Sequence, residues 1–313
     1  MGASTLSSRA IIGEFYATLD QDLGGSWIAG TSNLFQSNQE SETYKWLGMA
    51  PAMREWIGGR HAKGFRENGI TIVNKNFEAT LEVLVDEIRR DKTGQVMVRV
   101  RELAQRTNAH WAKLLSELII AGESTACYDG QYFFDTDHSE GDSGSQSNDI
   151  TNDITTTTAP TAGEMESSIL KAIEAIMGFK DDQGEPLNES ARAFTVMVPV
   201  PYMSSAAAAI GSEIIVDAST SRTNRILTMG SLGGFQLSLA VNPRLTWTTK
   251  LAVFRTDAET RALIRQEEEG VTVSAIAEGS ELEFREKRHH YGVKAIRNVG
   301  YGYWQRACLV THT

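Results

Sequence analysis

The chain has 313 residues, and this length predicts two subdomains or one core with long excursions. Apolar residues make up 41% of the chain and charged residues 22%, a composition that indicates a folded protein and excludes a disordered one. No run of eighteen apolar residues occurs, and the N-terminus lacks the basic start and apolar stretch of a signal peptide. We therefore expect neither export nor a membrane span.

The net charge of −10 comes from one region. Between Lys113 and Lys171 there is no lysine or arginine, whereas eleven acidic residues occur there. Elsewhere acids and bases nearly balance. This pattern predicts a solvated or cation-facing segment, and it disfavours nucleic-acid binding in this region.

The two cysteines, Cys127 and Cys308, are too few for a disulfide framework. They also lack the CxxC spacing that is typical of zinc and redox sites. We expect both to be reduced thiols in a cytoplasmic setting.

The first fifty residues show a weak helical pattern around Ile11, Ile12, Phe15 and Leu19. A glycine pair at positions 24 and 25 interrupts it. We interpret this segment as an arm rather than as part of a core.

Residues 55–86 predict a long two-stranded ribbon. Apolar residues alternate from Phe77 to Val85, which is the period of a strand with one protected face. A tight-turn signal, Glu67-Asn68-Gly69, separates this half from a glycine-containing half with several possible cations. Because a lone ribbon is only marginally stable, we expect another copy of the chain to cover it. The predicted contacts between subunits are Arg60, Lys63, Phe65, Arg66, Phe77, Leu81 and Val83.

The period then changes to that of a helix over residues 93–121. Apolar or small residues recur every three or four positions from Val96 to Leu118, and Gly122 ends the pattern. At about 1.5 Å per residue, this helix is a rod of roughly 40 Å.

Residues 122–160 are loop-like and end in the low-complexity stretch NDITNDITTTTAP. Beyond it we predict a helix over residues 165–176, a strand at AFTVMVPV, a helix begun by Pro201 and a strand at FQLSLAV. The tail predicts strands at VTVSAIA, ELEF and YGVKAIRNVGYGYWQRACLV. Helices and antiparallel strands are mixed without a regular βαβ repeat, so the fold class is α+β.

The stretch YDGQYFFDTDHSEGDSG is the strongest candidate for chemistry. Asp135, Asp137 and His138 offer metal-ligand groups, but the spacing of a calcium-binding EF-hand is not met. The next histidines, His289 and His290, are adjacent on a predicted strand and point to opposite faces. We favour a structural loop in which aspartates bond nearby backbone amides. A metal-dependent hydrolase remains the alternative.

The other candidate motifs give weaker indications of a catalytic or binding site. No GxSxG occurs, and GSLGGF near Gly230 is neither a P-loop nor a dinucleotide fingerprint. The aromatic residues of GYGYWQ are expected in the core, and His61 and His110 on the surface. We predict no catalytic, cofactor-binding or metal-binding residue.

Two stretches carry a family resemblance. CYDGQYFFDTDHSEG after a long helix, and YGVKAIRNVGYGYWQRA near the C-terminus, resemble the Mu-like phage major head subunit family. The order of features is similar from about residue 10 to the end. This resemblance implies the tailed-phage capsid fold (the Hong Kong 97 fold). Its parts would be an N-terminal arm and the start of the peripheral domain (1–54), an extended β-hairpin loop (55–86), a peripheral domain with an acidic loop (87–160) and a spine helix (93–121), an axial domain (161–254), and strands returning to the peripheral domain (255–313).

The resemblance also implies a function without enzymatic activity. The chain would be a structural head subunit that assembles into hexamers and pentamers of an icosahedral shell around double-stranded DNA, first as a procapsid that matures. Its partners would be other copies, a portal protein, a possible decoration protein and packaged DNA bound without sequence specificity. Because no long coiled-coil extension precedes the arm, a separate scaffold protein is expected. Such a protein is found in the virion and assembles in the bacterial cytoplasm.

Two points stay open at this stage. The polar insertion GDSGSQSNDITNDITTTT is longer than we expect after the loop motif, and its path is undetermined. A non-viral compartment shell of the same fold is a further alternative.

Overall fold

The computed structural model describes residues 7–20, 26–44, 69–91, 94–217 and 220–313. The helices are α1 (Ser8–Leu19), α2 (Ser26–Thr31), α3 (Val85–Arg90), α4 (Gln95–Asn108), α5 (His110–Ile120), α6 (Ala162–Gly178), α7 (Met203–Gly211), α8 (Arg225–Gly233) and α9 (Glu281–Glu286). The strands are β1 (Ser32–Gln36), β2 (Ser41–Tyr44), β3 (Ile70–Val73), β4 (Lys75–Leu84), β5 (Asp149–Asn152), β6 (Ala193–Val198), β7 (Ile214–Asp217), β8 (Thr220–Thr223), β9 (Gln236–Val241), β10 (Lys250–Arg255), β11 (Leu263–Ile276), β12 (Arg288–Tyr301) and β13 (Ala307–His312). None of the helices in these ranges is long and apolar enough to cross a membrane.

The central sheet has the strand order β5-β13-β10-β6-β9. β13 pairs in parallel with β5, and β6 pairs in parallel with β9, while β10 is antiparallel to both of its neighbours. Nearly every residue of β6, β10 and β13 is buried, because α6 and α7 join the same apolar cluster. Strands buried in this way read as continuous apolar runs, which matches AFTVMV in β6.

The outer sheet has the order β1-β11-β12-β4. Its two long strands, β11 and β12, form an antiparallel pair with register shifts between Glu267 and Thr272. β4 lies at the edge and pairs antiparallel with β12 from Lys75 to Leu84. A second apolar cluster lies where α1 and α4 cover one face of this sheet.

The N-terminal helix belongs to this second cluster. Ile11 and Phe15 of α1 are 1% and 2% exposed, and they lie among Val83, Val100 and Tyr291. The expectation of an arm outside any core is therefore wrong for α1. The helical pattern itself is confirmed.

The described part of the predicted ribbon is not a two-stranded excursion. β3 pairs with β2, and β4 pairs with β12, so β3 and β4 do not pair with each other. Residues 45–68, which contain the upstream half and most of the turn signal, lie outside the described residues. The alternation at Phe77 correctly predicted a strand, but it could not identify the partner strand.

The long helix is confirmed with one correction. Its helical assignment divides at Ala109, although Ala109 N still donates to Gln105 O and Lys113 N donates to Ala109 O. α4 and α5 are therefore nearly one rod, which ends before Gly122 as predicted.

The later elements that the sequence predicted are confirmed except at ELEF, and four others, β7, β8, α8 and β10, were not predicted. α6, β6, α7 and β9 lie where predicted. ELEF is wrong as a strand, because it forms α9. Ser280 caps this helix by accepting from Glu283 N, and Glu281 and Glu283 occupy its first turn, where acids favour a helix start.

Candidate functional site

Residues 121–148, here called the motif loop, connect α5 to β5. Cys127 N donates to Gln131 O at 2.8 Å across a turn in which Gly130 has a φ of +90°. The loop then inserts Phe133 and Phe134 into the central core. The ring of Phe133 stacks on Tyr301 with a centroid separation of 4.6 Å. Aromatic burial therefore fixes the loop to β12.

Asp135 has the role expected from the sequence. Its carboxylate accepts from Tyr132 N at 3.1 Å and from Thr136 N at 2.7 Å. Asp137 is exposed. The prediction of an aspartate that bonds nearby amides is confirmed at Asp135.

His138 is fully buried, and its ring lies flat on Trp304 at a centroid separation of 3.9 Å. Its Nδ1 is 2.7 Å from Asp129 Oδ2, and its Nε2 is 3.2 Å from Asn148 Oδ1. The Asn148 amide is oriented by its Nδ2, which donates to the carbonyl oxygens of Phe133 and Trp304. Because Asn148 Oδ1 only accepts, Nε2 is the ring nitrogen that donates to it, and Nδ1 faces Asp129.

Cys127 donates its thiol proton to Asp129 Oδ1 at 3.0 Å. Burial alone would raise the pKa of Asp129, but hydrogen bonds from His138 and Cys127 lower this pKa below its ordinary value. Burial and the Asp129 charge raise the pKa of the Cys127 thiol. The Asp129 carboxylate is thus in contact with two side chains, Cys127 and His138.

The hydrolase alternative loses its site in this geometry. Among the described residues, only Cys127, Asp129 and His138 form a group whose metal-ligating atoms all lie within 4.8 Å of one another. Asp135 and Asp137 do not join His138 in such a group. Sequence reasoning found His138 but missed Asp129, which lies nine positions upstream and belongs to no recognised ligand motif.

The polar insertion follows the edge of the central sheet. Within it, β5 pairs in parallel with β13, and Gln146 exchanges two hydrogen bonds with the Lys180 backbone. Gly141 has a φ of +55°, and a Cβ there would lie 2.3 Å from Asp182 O. Only glycine fits this close approach, so packing against Asp182 requires the first glycine of GDSG, Gly141.

Buried acid–base contacts in the acidic region were also missed. Glu166 on α6 is fully buried and pairs with Arg222 and Arg225. Two partners more than fifty positions away left no sequence signal. The region is therefore only partly the solvated segment that its composition suggested.

The other histidine and aromatic predictions are mixed in outcome. His289 is buried, and His290 on the opposite face lies 3.1 Å from Glu82, which confirms the adjacent-face prediction. Tyr301, Tyr303 and Trp304 are buried, as expected. His61 lies outside the described residues.

His110 is not the surface residue that the sequence suggested. Its ring centroid is 4.4 Å from that of Phe77, and its Nδ1 accepts from Arg297 Nε at 3.1 Å. Burial, with the nearby charge of Arg297, lowers the pKa of His110 to about 4.

The predicted contacts between subunits fall into two groups. Arg60, Lys63, Phe65 and Arg66 lie outside the described residues. Val83 is 1% exposed and lies in the cluster formed with α1 and α4. The expectation that another copy covers this side chain is wrong, because its own chain does so. Phe77 and Leu81 are half-buried, and their contact with another copy stays a prediction.

Comparison with known proteins finds sequence similarity to phage head subunits over part of the chain. The family model of the Mu-like prophage major head subunit gpT matches residues 15–161, from α1 to the residue before α6. The Mu-like prophage FluMu major head subunit of Haemophilus influenzae is 38% identical over 110 residues, which cover 35% of this chain and 36% of that protein. Residues 15–161 of the chain are therefore similar to the Mu-like major head subunit family. The major capsid protein of Escherichia phage Mu is 34% identical over 102 residues, or 33% of each protein.

The match to these two relatives spans only about a third of their length. Structural similarity extends further along the chain. The structure of the bacteriophage JBD30 procapsid matches with a TM-score of 0.56 at 22% identity, covering 97% of this chain and 73% of that chain. The tailed-phage capsid fold expected from the resemblance is thereby confirmed.

Proposed function

We propose that this protein is the major capsid subunit of a tailed bacteriophage. It assembles into the hexamers and pentamers of an icosahedral shell around double-stranded DNA. The family match at residues 15–161 carries this proposal, and the capsid fold over nearly the whole chain supports it. A structural role, rather than an enzymatic one, accords with a His138 site that is closed to solvent.

The capsid fold distinguishes a shell from other functions, but a non-viral compartment shell would share it. The two relatives that match by sequence are both phage or prophage head subunits, which favours the phage shell. The proposal retains the division into an N-terminal region, extended loop, peripheral domain, axial domain and return strands, with α1 packed in the second apolar cluster and β4 paired with β12.

Closed shells require contacts that do not stop at a dimer. Heterologous contacts around a ring, together with overlaps between neighbouring rings, build a closed surface from one kind of subunit. The affinity of each contact need only be modest, because many neighbours hold a subunit at once. We assign such an overlap to the extended loop, where Arg60, Lys63 and Arg66 meet acids on a neighbouring copy beside Phe65.

The remaining partners are part of the same proposal. A separate scaffold protein guides assembly, a portal protein occupies one vertex, and a decoration protein is an optional addition. Packaged DNA is held without sequence-specific contacts. Because DNA repels acids, the exposed acids of residues 114–170 avoid the lumen or are offset by bases. The virion is the final location, after assembly in the bacterial cytoplasm.

Electron microscopy of the full chain, coexpressed with the scaffold protein of its phage, tests the proposal. We expect closed shells of uniform size. A chain that remains folded and unassembled at all concentrations, with the scaffold present, overturns the capsid assignment. Shells isolated from infected cells should contain double-stranded DNA, whereas protein cargo without DNA would favour a compartment shell.

A charge-reversal variant tests the loop assignment separately. Arg60→Glu, Lys63→Glu and Arg66→Glu together should leave a folded subunit that forms no shells. The matched control reverses three exposed cations elsewhere, Arg89→Glu, Arg106→Glu and Arg285→Glu, whose side chains are 66%, 77% and 72% exposed. Normal shells from the first variant would remove the loop from the assembly contacts and leave the capsid assignment intact.

A further inference from the structure

The motif loop brings three different metal-ligand groups to one buried point. Cys127 Sγ, a carboxylate oxygen of Asp129 and a ring nitrogen of His138 lie within 4.8 Å of one another. The side chains of His138 and Asp129 are 0% and 3% exposed. Thiolate, imidazole and carboxylate are the donors that zinc takes in proteins. Calcium and magnesium, which prefer oxygen donors, do not suit this set.

An outer hydrogen bond already orients the histidine for ligation. Nε2 donates to Asn148 Oδ1, and stacking on Trp304 fixes the plane of the ring. Nδ1 is left facing Asp129. Metal-ligating histidines usually have this arrangement, in which the second ring nitrogen donates to an acceptor that sets the tautomer.

The contacts around one carboxylate are the deciding observation. Asp129 Oδ1 accepts from the Cys127 thiol at 3.0 Å, and Asp129 Oδ2 lies 2.7 Å from His138 Nδ1. A doubly charged cation that takes the place of the protons in these two contacts is balanced by the thiolate and the carboxylate, with a neutral imidazole as the third donor. The buried site then holds no unpaired charge.

We propose that Cys127, Asp129 and His138 bind one Zn²⁺ ion that fastens the motif loop. On binding, the Sγ–H and Nδ1–H bonds break, bonds from zinc to sulfur, nitrogen and carboxylate oxygen form, and two protons leave to solvent. Tetrahedral zinc holds its donors roughly 3.3–3.7 Å apart, whereas these three atoms lie within 4.8 Å of one another, so the side chains move by about 1 Å on binding. A water molecule takes the fourth position. Burial excludes substrate, and the ion has a structural role.

This inference departs from the sequence-based expectation of no metal. Sequence reasoning paired His138 with Asp135 and Asp137, whereas the structure pairs it with Asp129 and Cys127. Because protons compete with the metal ion for the same donor atoms, the affinity should fall on acidification. The other titratable groups around the site are Tyr128, Glu140 and Tyr301. Tyr128 interacts with Glu140, Cys127 and Asp129, and Tyr301 interacts with Cys127.

Titration of the purified full chain with Zn²⁺ alone, after treatment with a chelator, tests the inference. Calorimetry in two buffers of different ionisation heat should report about one zinc ion bound and about two protons released per chain. Co²⁺ used as a spectroscopic probe should give a thiolate-to-cobalt charge-transfer band. Absence of stoichiometric binding or of the band in the unmodified chain overturns the inference, whatever the variants do.

A pair of alanine variants supplies a test and its matched control. Cys127→Ala and Cys308→Ala each remove one buried thiol, and only Cys127 is in the cluster. We expect Cys127→Ala to abolish the cobalt band and weaken zinc binding at least about 100-fold, while Cys308→Ala keeps both. Retention of the band by Cys127→Ala, or its loss in a folded Cys308→Ala, contradicts the assignment.

Discussion

The central and outer sheets show two ways of covering a strand. In β6, β10 and β13, nearly every side chain is buried by the chain itself. In β4, burial alternates, and β4 is also the edge of its sheet. One face of β4 is covered by α1 and α4, while the other is exposed. The comparison indicates that the chain itself covers the central sheet, whereas the outer sheet keeps one exposed face and an open edge at β4, where the proposed contacts with other copies would lie.

The largest expected effect is on the central sheet. Phe254 in β10 is fully buried, and Phe284 in α9 is 90% exposed. Phe254→Ala should lower the free energy of unfolding by about 3–5 kcal/mol, because it leaves a cavity in the core. Phe284→Ala should change it by less than about 0.5 kcal/mol. Denaturant unfolding of the unassembled subunit measures both, and equal effects would break the comparison.

An intermediate effect is expected at the inner face of β4. Val83→Ala should destabilise the unassembled subunit by about 1.5–3 kcal/mol, because its side chain is buried within its own chain. The control is Val98→Ala on α4, where the side chain is 57% exposed. If Val83→Ala affected shell formation without affecting unfolding of the single subunit, the cover would come from another copy after all.

The smallest effect is a difference in response to acid. The pKa of His110, at the outer sheet, is lowered from 6.5 to about 4, so the unfolded chain takes up this proton more readily. Stability should therefore fall as the pH drops from about 6.5 to about 4, by about 1–2 kcal/mol after solvent screening is considered. In unfolding curves measured at several pH values, His110→Gln should make the free energy of unfolding less dependent on pH in this range.

The motif loop beside the central core should respond at lower pH. The pKa of Asp129 lies below its ordinary value, so its contribution is present above about pH 3.9 and is lost as the pH falls through the folded-state pKa. Asp129→Asn should remove this loss of unfolding free energy at low pH. Asp137→Asn, which changes an exposed side chain of the same loop, should not remove it. A matching change in both variants would contradict the role of the Asp129–His138 pair.

A helix or strand could be predicted wherever the hydrophobic period and the turn residues indicated the same element. The helical period and Gly178 defined α6, and the alternation in FQLSLAV defined β9. ELEF failed because a four-residue stretch fits either period, and the Ser280 cap decided in favour of a helix. The candidate site was found only in part. His138 was evident, but Asp129 became its partner through the turn at Gly130.

The amino-acid sequence by itself determined the fold class, about half of the helices and strands and, through the motif that follows α5, the resemblance to phage head subunits. These depend on local periodicity, turn residues and the order of residue types along the chain. Only the tertiary structure decided that β4 pairs with β12 and that α1 covers Val83. It also decided that His138 meets Asp129 and Cys127 rather than its neighbours in sequence. A strand period shows that one face needs cover and a histidine shows that a partner is needed, but the choice of partner depends on contacts between segments distant in the chain.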